Sequence, residues 1–148
     1  MKKKIQVILI VLVFALIVTS CASQTNYKDG KYSAEMSQAF ADENGHGWQS
    51  YMTATVKDGV VMDINYDSRS GDQLKSETTA ETYPMTPHPT EWIPQLNENL
   101  SKAKTAKDVE AVSGATHASD EAKALYAAIL KAAAEGNTTT VVLDDTTL

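Results

Sequence analysis

Trp48–Asp67, WQSYMTATVKDGVVMDINYD, is the most informative segment for the fold class. Polar and apolar residues alternate on both sides of Asp58-Gly59, a dipeptide that favours a tight β-hairpin because both residues tolerate positive φ. One apolar face is expected on each strand: Met52, Ala54 and Val56 on the first, and Val60, Met62, Ile64 and Tyr66 on the second. A lone hairpin is only marginally stable in water, so other elements must cover these strands.

The segments around this hairpin predict one further strand before it and two helices after it. Residues 31–36 alternate as a short strand, and residues 90–102 form a helix with Thr90 as its cap. An alanine-rich helix from Thr116 to Glu135 stops at Gly136, and the NTTTVVL that follows predicts an edge strand. We therefore expect an α+β fold, with a small antiparallel sheet and two packed helices.

Residues 67–89, DSRSGDQLKSETTAETYPMTPHP, show no periodicity. Irregular segments longer than about 12 to 15 residues in a compact domain are usually functional or disordered. Tyr83 and Met85 near the end of this segment, and Trp92 just after it, argue against plain disorder. We therefore expect this segment to contribute to function.

The first 21 residues contain three lysines, an apolar run over residues 7–18 and the only cysteine, Cys21. The apolar run is shorter than the ~20 residues of a transmembrane helix, and the charged start fits a secretory signal, although an uncleaved membrane anchor is the alternative. The sequence VTSC resembles a bacterial lipobox, in which the cysteine is acylated and begins the mature protein. We expect a lipoprotein signal over residues 1–20, a lipidated cysteine and tether over residues 21–26, and one domain over residues 27–148, lipid-anchored outside the cytoplasm.

The charge balance excludes several classes of partner. The formal net charge of −6 becomes −9 after cleavage, because three of the 13 basic residues leave and all 19 acidic residues stay. Such a surface argues against nucleic acid as a partner and against electrostatic attraction to anionic lipid, so membrane attachment must come from acyl chains. His46, His88 and His117 have no metal-ligand spacing, and no nucleophile elbow or P-loop is present. We expect no metal site and no catalytic residue.

The segment EAVSGATHAS, residues 110–119, ends in a turn directly before the longer helix. The first turn of a helix presents free backbone N–H groups and the positive end of the helix dipole, so it can hold an anion. Gly114 allows close approach, Ala115 keeps the approach open, and Ser113 and Thr116 add hydroxyl groups. These residues alone leave two interpretations, a phosphate-binding turn and a simple N-cap at Thr116.

The same segment resembles the signature of the FMN-binding domain family, which occurs in membrane-anchored bacterial lipoproteins and in flavin-carrying subunits of the sodium-pumping NADH:quinone reductase and Rnf complexes. The DGKY, VKDGVVMDINYD, YPM and SGATHAS segments follow the order of that family from about Tyr27 to Gly136. In many members the motif threonine carries FMN through a phosphoester bond, made by an exported FAD-dependent flavin transferase. The resemblance therefore implies FMN as cofactor and this transferase as a partner.

The residues that the resemblance assigns to the phosphate are Thr116 as covalent acceptor, Ser113, Gly114 and Ala115 around it, and Ser119 at the next hydroxyl position. Two positions depart from the family pattern. Glu110 stands where modified members usually have aspartate, and Ala118 stands where a small hydroxyl residue is frequent. A longer carboxylate at Glu110 would weaken recognition by the transferase or the placing of its Mg²⁺, which would leave FMN bound without a covalent bond.

The isoalloxazine ring of FMN requires an apolar wall. The candidates are Trp48, Tyr66, Tyr83, Met85 and Trp92. Tyr83 and Met85 are preferred because they stand in the irregular segment, whereas Tyr66 and Trp92 are expected in the core. His117 is expected to be an exposed histidine at a helix start rather than a phosphate ligand.

These observations predict an extracytoplasmic electron carrier that receives electrons from a membrane reductase and passes them to an acceptor outside the cytoplasm. A flavin passes electrons without a general base or nucleophile from the protein, so the chain is expected not to be an enzyme. The alternative is a flavin-free surface lipoprotein with a binding or assembly role.

Overall fold

The computed structural model describes residues 26–147 and shows five strands, three α-helices and two short 3₁₀ turns. The elements, in chain order, are β1 (Gly30–Met36), α1 (Gln38–Asn44), β2 (Gln49–Lys57), β3 (Val60–Ser70), β4 (Gln73–Leu74), α2 (Pro89–Lys102), α3 (Thr116–Glu135) and β5 (Val141–Leu143), with 3₁₀ turns at Lys75–Glu77 and Ala106–Asp108. The predicted signal, Cys21 and most of the tether lie outside the described residues. None of the helices within residues 26–147 combines the length and apolar character needed to cross a bilayer.

The strands form one sheet in the order β4-β3-β2-β1-β5. The pairs β1–β2, β2–β3 and β3–β4 are antiparallel, and β5 joins β1 in parallel at the far edge. The helices α2 and α3 pack against this sheet, α3 over β1 and β2 and α2 over β3. The predicted α+β class with two packed helices is therefore confirmed. The predicted edge strand after Gly136 is present, and because it pairs in parallel the sheet is mixed rather than wholly antiparallel.

The central hairpin is formed by β2 and β3, as predicted from Asp58-Gly59. Both turn residues have positive φ, 53° at Asp58 and 73° at Gly59, and Lys57 pairs with Val60 across the turn. The Gly59 N–H donates to Asp29 Oδ1 at 3.0 Å, which ties the hairpin tip to the start of β1.

The face assignment for β3 was wrong in its first half because of a β-bulge. Thr53 pairs with Asn65 but Thr55 pairs with Met62, so two residues of β3 oppose one residue of β2, and Asp63 has a φ of 49°. A bulge reverses the alternation of side chains along a strand. Val60 and Met62 are consequently 59% and 45% exposed, whereas Val61 and Ile64 pack against the core beside Tyr66.

The segment predicted to be aperiodic is only partly irregular. Its first residues continue β3 to Ser70, and Gln73–Leu74 then turns back to pair with β3 as an edge strand. Neither feature was predicted, because both depend on pairing within the sheet rather than on a local pattern. The irregular part that remains between the first 3₁₀ turn and α2 contains Tyr83 and Met85.

The two long helices begin differently from one another. The helix α2 begins at Pro89 with His88 as its N-cap, so the prediction of Thr90 as the cap was wrong. The helix α3 spans Thr116–Glu135 as predicted and ends at Gly136, which has a φ of 75°. A short helix that was not predicted, α1, precedes β2 and is capped by Ser37, whose Oγ accepts the Phe40 N–H at 3.2 Å.

Candidate functional site

A cavity of about 360 Å³ opens at the N-terminus of α3. Ligand pockets commonly measure about 300–1,000 Å³, so this volume suits a small organic ligand. The lining comes from the turn after α1, the segment between β4 and α2, the start of α2 and the first two turns of α3. The residues are Asn44, Gly45, His46, Trp48, Lys75, Tyr83, Met85, Trp92, Gly114, Ala115, Thr116, His117, Ala118 and Glu121.

The turn before α3 requires glycine for two reasons. Gly114 has a φ of 81°, a left-handed conformation that side chains disfavour. A Cβ added to Gly114 would also overlap Cδ of Pro87, which lies in the irregular segment before α2. The turn and the irregular segment are therefore packed directly against each other.

Ser119 supports this turn from below and does not line the cavity. Its side chain is fully buried, its Oγ donates to the Ala115 carbonyl at 2.8 Å, and it accepts the Val112 N–H at 3.0 Å. Both bonds hold the backbone of the turn in place. The Ser119 hydroxyl thus stabilises the backbone of the turn and does not line the cavity that a phosphate would enter.

Thr116 is the first residue of α3 and lies exposed at the rim of the cavity. The interpretation of Thr116 as a simple N-cap was wrong: Ala115 is the N-cap, and no side chain among residues 26–147 caps this end. The first hydrogen bond of the helix runs from Ser119 N–H to the Ala115 carbonyl at 2.9 Å. The N–H groups of residues 116–118 are therefore available to an anion.

Aromatic side chains form a second part of the cavity lining. Trp48 and Tyr83 meet edge to face with ring centroids 5.7 Å apart, and Met85 and Trp92 complete the wall. Trp92 is only 3% exposed, yet its Nε1–H has no hydrogen-bond acceptor within the described residues. Tyr66 lies in the core as expected, while Trp92 belongs both to the core and to the cavity lining.

Lys75 is a site residue that sequence reasoning missed. It is only 9% exposed, and its Nζ lies 5.2 Å from the ring centroid of Trp48 and 5.3 Å from that of Tyr83. Burial lowers the pKa of Lys75, and the nearby carboxylates of Glu121 and Asp67 oppose this shift. Its surroundings in the sequence, QLKSE, are those of an ordinary surface lysine, so no local signal identified it.

Glu121 is a second missed residue, buried at the base of the cavity one turn into α3. Its carboxylate accepts hydrogen bonds from Ser50 Oγ and from Tyr66 OH, the latter at 3.4 Å. Burial and the Glu121 charge raise the pKa of Tyr66 far above its usual value. A glutamate five positions into an amphipathic helix is usually solvated, which is why the sequence did not reveal it.

His117 stands over Glu121 at the mouth of the cavity. Its side chain is 58% exposed, as expected, but its Nε2 lies 3.0 Å from Glu121 Oε1. The imidazole also stacks on the Phe40 ring of α1, with centroids 6.3 Å apart and planes 7° from parallel. His117 therefore connects α1 to α3 at the rim.

The remaining predicted residues lie outside the cavity. Ser113 and Glu110 are exposed, and neither contributes to the lining. The Glu110 carbonyl accepts a hydrogen bond from Asn99 Nδ2 at 3.0 Å, which ties the segment before the turn to α2. No cluster of three or more potential metal ligands occurs within residues 26–147.

The fold and this cavity define a small α+β domain with a cavity at an uncapped helix N-terminus. No family model and no curated protein matches the chain. A crystal structure of the CPE2226 protein from Clostridium perfringens is similar, with a TM-score of 0.70 and 30% identity over 80% of this chain and 98% of that chain. The chain therefore belongs to the same family as the CPE2226 protein. The name of that protein states neither a ligand nor a reaction.

Proposed function

We propose that this chain is an FMN-carrying electron-transfer protein of the FMN-binding domain family, with the cofactor attached to Thr116. The observation that carries the proposal is the placement of exposed Thr116 at a cavity that is lined both by an uncapped helix N-terminus and by aromatic side chains. FMN has both of the matching parts, a phosphate, which keeps one negative charge when it is esterified to Thr116, and a flat aromatic ring. Of the residues implied by sequence resemblance, Thr116, Gly114 and Ala115 line this cavity, whereas Ser113, Ser119 and Glu110 do not.

The phosphate side of the cavity fits an anion. The N–H groups of residues 116–118 lack intrahelical acceptors, and the positive end of the α3 dipole favours negative charge at this point. The first turn of α3 contains no acidic residue that would repel a phosphate. Gly114 lines the cavity, and the absence of a side chain there lets Pro87 pack directly on the turn.

The ring side of the cavity fits a polar aromatic system. Trp48, Tyr83 and Met85 offer π-faces and a polarizable thioether, which make favourable contacts with a flat ring. Trp92 Nε1–H is a buried donor without an acceptor in the described part of the chain, and leaving such a donor unpaired costs about 1–3 kcal/mol.

Attachment to Thr116 needs a flavin transferase, with FAD as the second substrate. The Thr116 hydroxyl oxygen forms a bond to the phosphorus of the FMN half, the pyrophosphate bond of FAD breaks, and AMP leaves. The hydroxyl proton passes to a base of the transferase. Thr116 is exposed, so its hydroxyl is accessible to such an enzyme.

Bound FMN would accept and release electrons, and the residues of this chain would hold and surround it. The electron donor in this proposal is a membrane reductase, with an acceptor outside the cytoplasm. Cys21, which lies outside the described residues, would keep the protein at the membrane through its acyl chains. Covalent attachment suits this location, because a dissociated flavin would be lost by diffusion.

The test is coexpression of the full chain with an exported flavin transferase, followed by denaturing electrophoresis and tandem mass spectrometry. We expect a fluorescent band and one FMN on Thr116. Thr116→Ala should abolish the fluorescence completely, whereas Thr116→Ser should retain it because the hydroxyl remains. Thr90→Ala is the matched control, since Thr90 lies in the first turn of the other long helix. Glu110→Asp should raise the modified fraction if the longer carboxylate hinders the transferase.

An unmodified intact mass, beside a control domain that the same transferase labels, would refute covalent attachment. Bound FMN in that sample would still support an electron carrier. A colourless protein that also fails to bind added FMN would refute the flavoprotein proposal and favour the flavin-free binding role.

A further inference from the structure

We propose that Lys75 is the residue that makes the cavity favour the reduced form of its ligand, because its ammonium stabilises the negative charge that a flavin ring gains on two-electron reduction. This inference rests on the proposed function and assigns a role to a residue that no sequence motif indicates. It follows from where the ammonium is held and from which acceptors surround it.

The ammonium of Lys75 is held between two aromatic rings. Its Nζ lies 5.2 Å from the Trp48 centroid and 5.3 Å from the Tyr83 centroid, within the ~6 Å range of cation–π attraction. The two rings themselves meet at an interplanar angle of 87°. Two aromatic faces therefore fix a positive charge in the wall of the cavity, against which the proposed ring would lie.

The two carboxylates that act on Lys75 are already bonded to other donors. Asp67 accepts the Ser68 N–H at 2.7 Å, the Ser76 N–H at 3.2 Å and the Ser76 hydroxyl. Glu121 accepts the hydroxyls of Ser50 and Tyr66 and faces His117 at 3.0 Å.

Within residues 26–147 no carboxylate forms an ion pair with Lys75. A buried charge is costly unless it is paired and hydrogen-bonded. Burial accordingly lowers the pKa of Lys75, while Glu121 and Asp67 favour its charged form. The ammonium has no hydrogen-bond acceptor within residues 26–147 and Lys75 lines the cavity, so a ligand with negative charge would complete the site.

A flavin ring that takes up two electrons and one proton gains one negative charge. A cation at a partly buried position interacts with that charge far more strongly than one in water. Charge close to the ring is also one of the means by which a protein tunes a flavin. Lys75 therefore favours the reduced ring over the oxidised ring and raises the reduction potential.

The experiment is a redox titration of the flavinylated full chain with dithionite and a reference dye. Lys75→Met removes the charge at nearly constant length, and Lys75→Gln is a second neutral variant. We expect each to lower the preference for the reduced ring by at least about tenfold, which corresponds to a two-electron potential about 30 mV more negative. Lys75→Arg keeps the charge and should shift the preference by less than about threefold.

Lys102→Met is the matched control for the loss of one positive charge. Lys102 lies at the end of α2, outside the cavity lining, and its exposed Nζ pairs with Glu98 at 2.7 Å. We expect no more than about a threefold effect. An equal shift in Lys102→Met and Lys75→Met would overturn the inference, because net charge alone would then explain it.

Flavin content is measured by fluorescence in a denaturing gel before each titration. This measurement distinguishes failure of the proposed function from failure of the role assigned to Lys75. Wild-type protein without any flavin would refute the proposed function and this inference with it. Flavin present in wild type, Lys75→Met and Lys75→Gln with one common potential would refute only the role of Lys75.

Discussion

The two long helices begin in opposite ways, although both pack against the same sheet. At the start of α2, His88 Nδ1 accepts the Thr90 N–H at 3.3 Å, and Glu91 places an acid in the first turn. At the start of α3, Ala115 occupies the cap position without a side-chain bond, and the first turn has no acid. The protein satisfies one helix start internally and leaves the other open where it faces a cavity.

This difference indicates which helix start is available to a ligand. Unsatisfied N–H groups are usually met by side-chain caps, by water or by a ligand. Two hydroxyl residues lie within two positions of the cap residue Ala115, Ser113 and Thr116, but neither hydroxyl caps the helix among the described residues. The uncapped start therefore leaves these N–H groups free for water or for the phosphate of the proposed cofactor.

The largest effect is expected from changing the turn that shapes the open helix start. Gly114→Ala combines a positive φ, which costs a non-glycine residue about 1–2 kcal/mol, with an overlap against Pro87 that adds about 1–3 kcal/mol. We expect a loss of about 2–5 kcal/mol in the free energy of unfolding, measured by denaturant titration, and a loss of FMN.

Gly47→Ala is the control for this change, because Gly47 has the same φ of 81° but nothing within 4 Å of its added Cβ. It should cost only the backbone component of about 1–2 kcal/mol. Equal losses at the two glycines would mean that contact with Pro87 contributes nothing.

A smaller effect is expected from the serine beneath the turn. Ser119→Ala leaves the buried Val112 N–H without its acceptor, which costs about 1–3 kcal/mol. The denaturation-resistant flavin should remain, because the Ser119 hydroxyl faces the backbone rather than the cavity. Ser101→Ala, at an exposed serine whose hydroxyl bonds the Glu98 carbonyl, is the comparison and should change stability by less than about 0.5 kcal/mol. Loss of the flavin in a folded Ser119→Ala protein would argue for a direct role in attachment.

The smallest effect tests the helix starts themselves. Thr116→Asp places a carboxylate at the open start of α3, where the dipole should stabilise the flavin-free protein by about 0.3–1 kcal/mol at low salt. Thr90→Asp should gain less, because α2 already has Glu91 in its first turn. Thermal melting at low and high salt measures both variants, and the gain at Thr116 should shrink as salt increases. A larger gain at Thr90 would contradict the view that α3 is the unsatisfied helix.

Local patterns in the sequence were sufficient for the main elements of the fold. The Asp58-Gly59 turn, the helix from Thr116 to Glu135 and the stop at Gly136 all occur as predicted, because each depends on φ preferences or periodicity within a few residues. The faces of β3 were not predictable in the same way. The bulge at Asp63 arises from pairing with β2, and it reverses the positions of Val60 and Met62.

For the candidate site, the sequence motif located the turn, and the irregular segment suggested Tyr83 and Met85, which line the cavity as the aromatic-wall hypothesis requires. Their approach to the turn could not be read from the sequence, because it depends on Pro87 packing over Gly114. The roles of Lys75 and Glu121 were likewise invisible, since burial of a charge depends on what distant segments place around it. Local sequence thus specifies which groups can bind an anion or a ring. Only tertiary packing brings residues 48, 75, 83 and 116 around one cavity, because contacts between distant segments have no local sequence pattern.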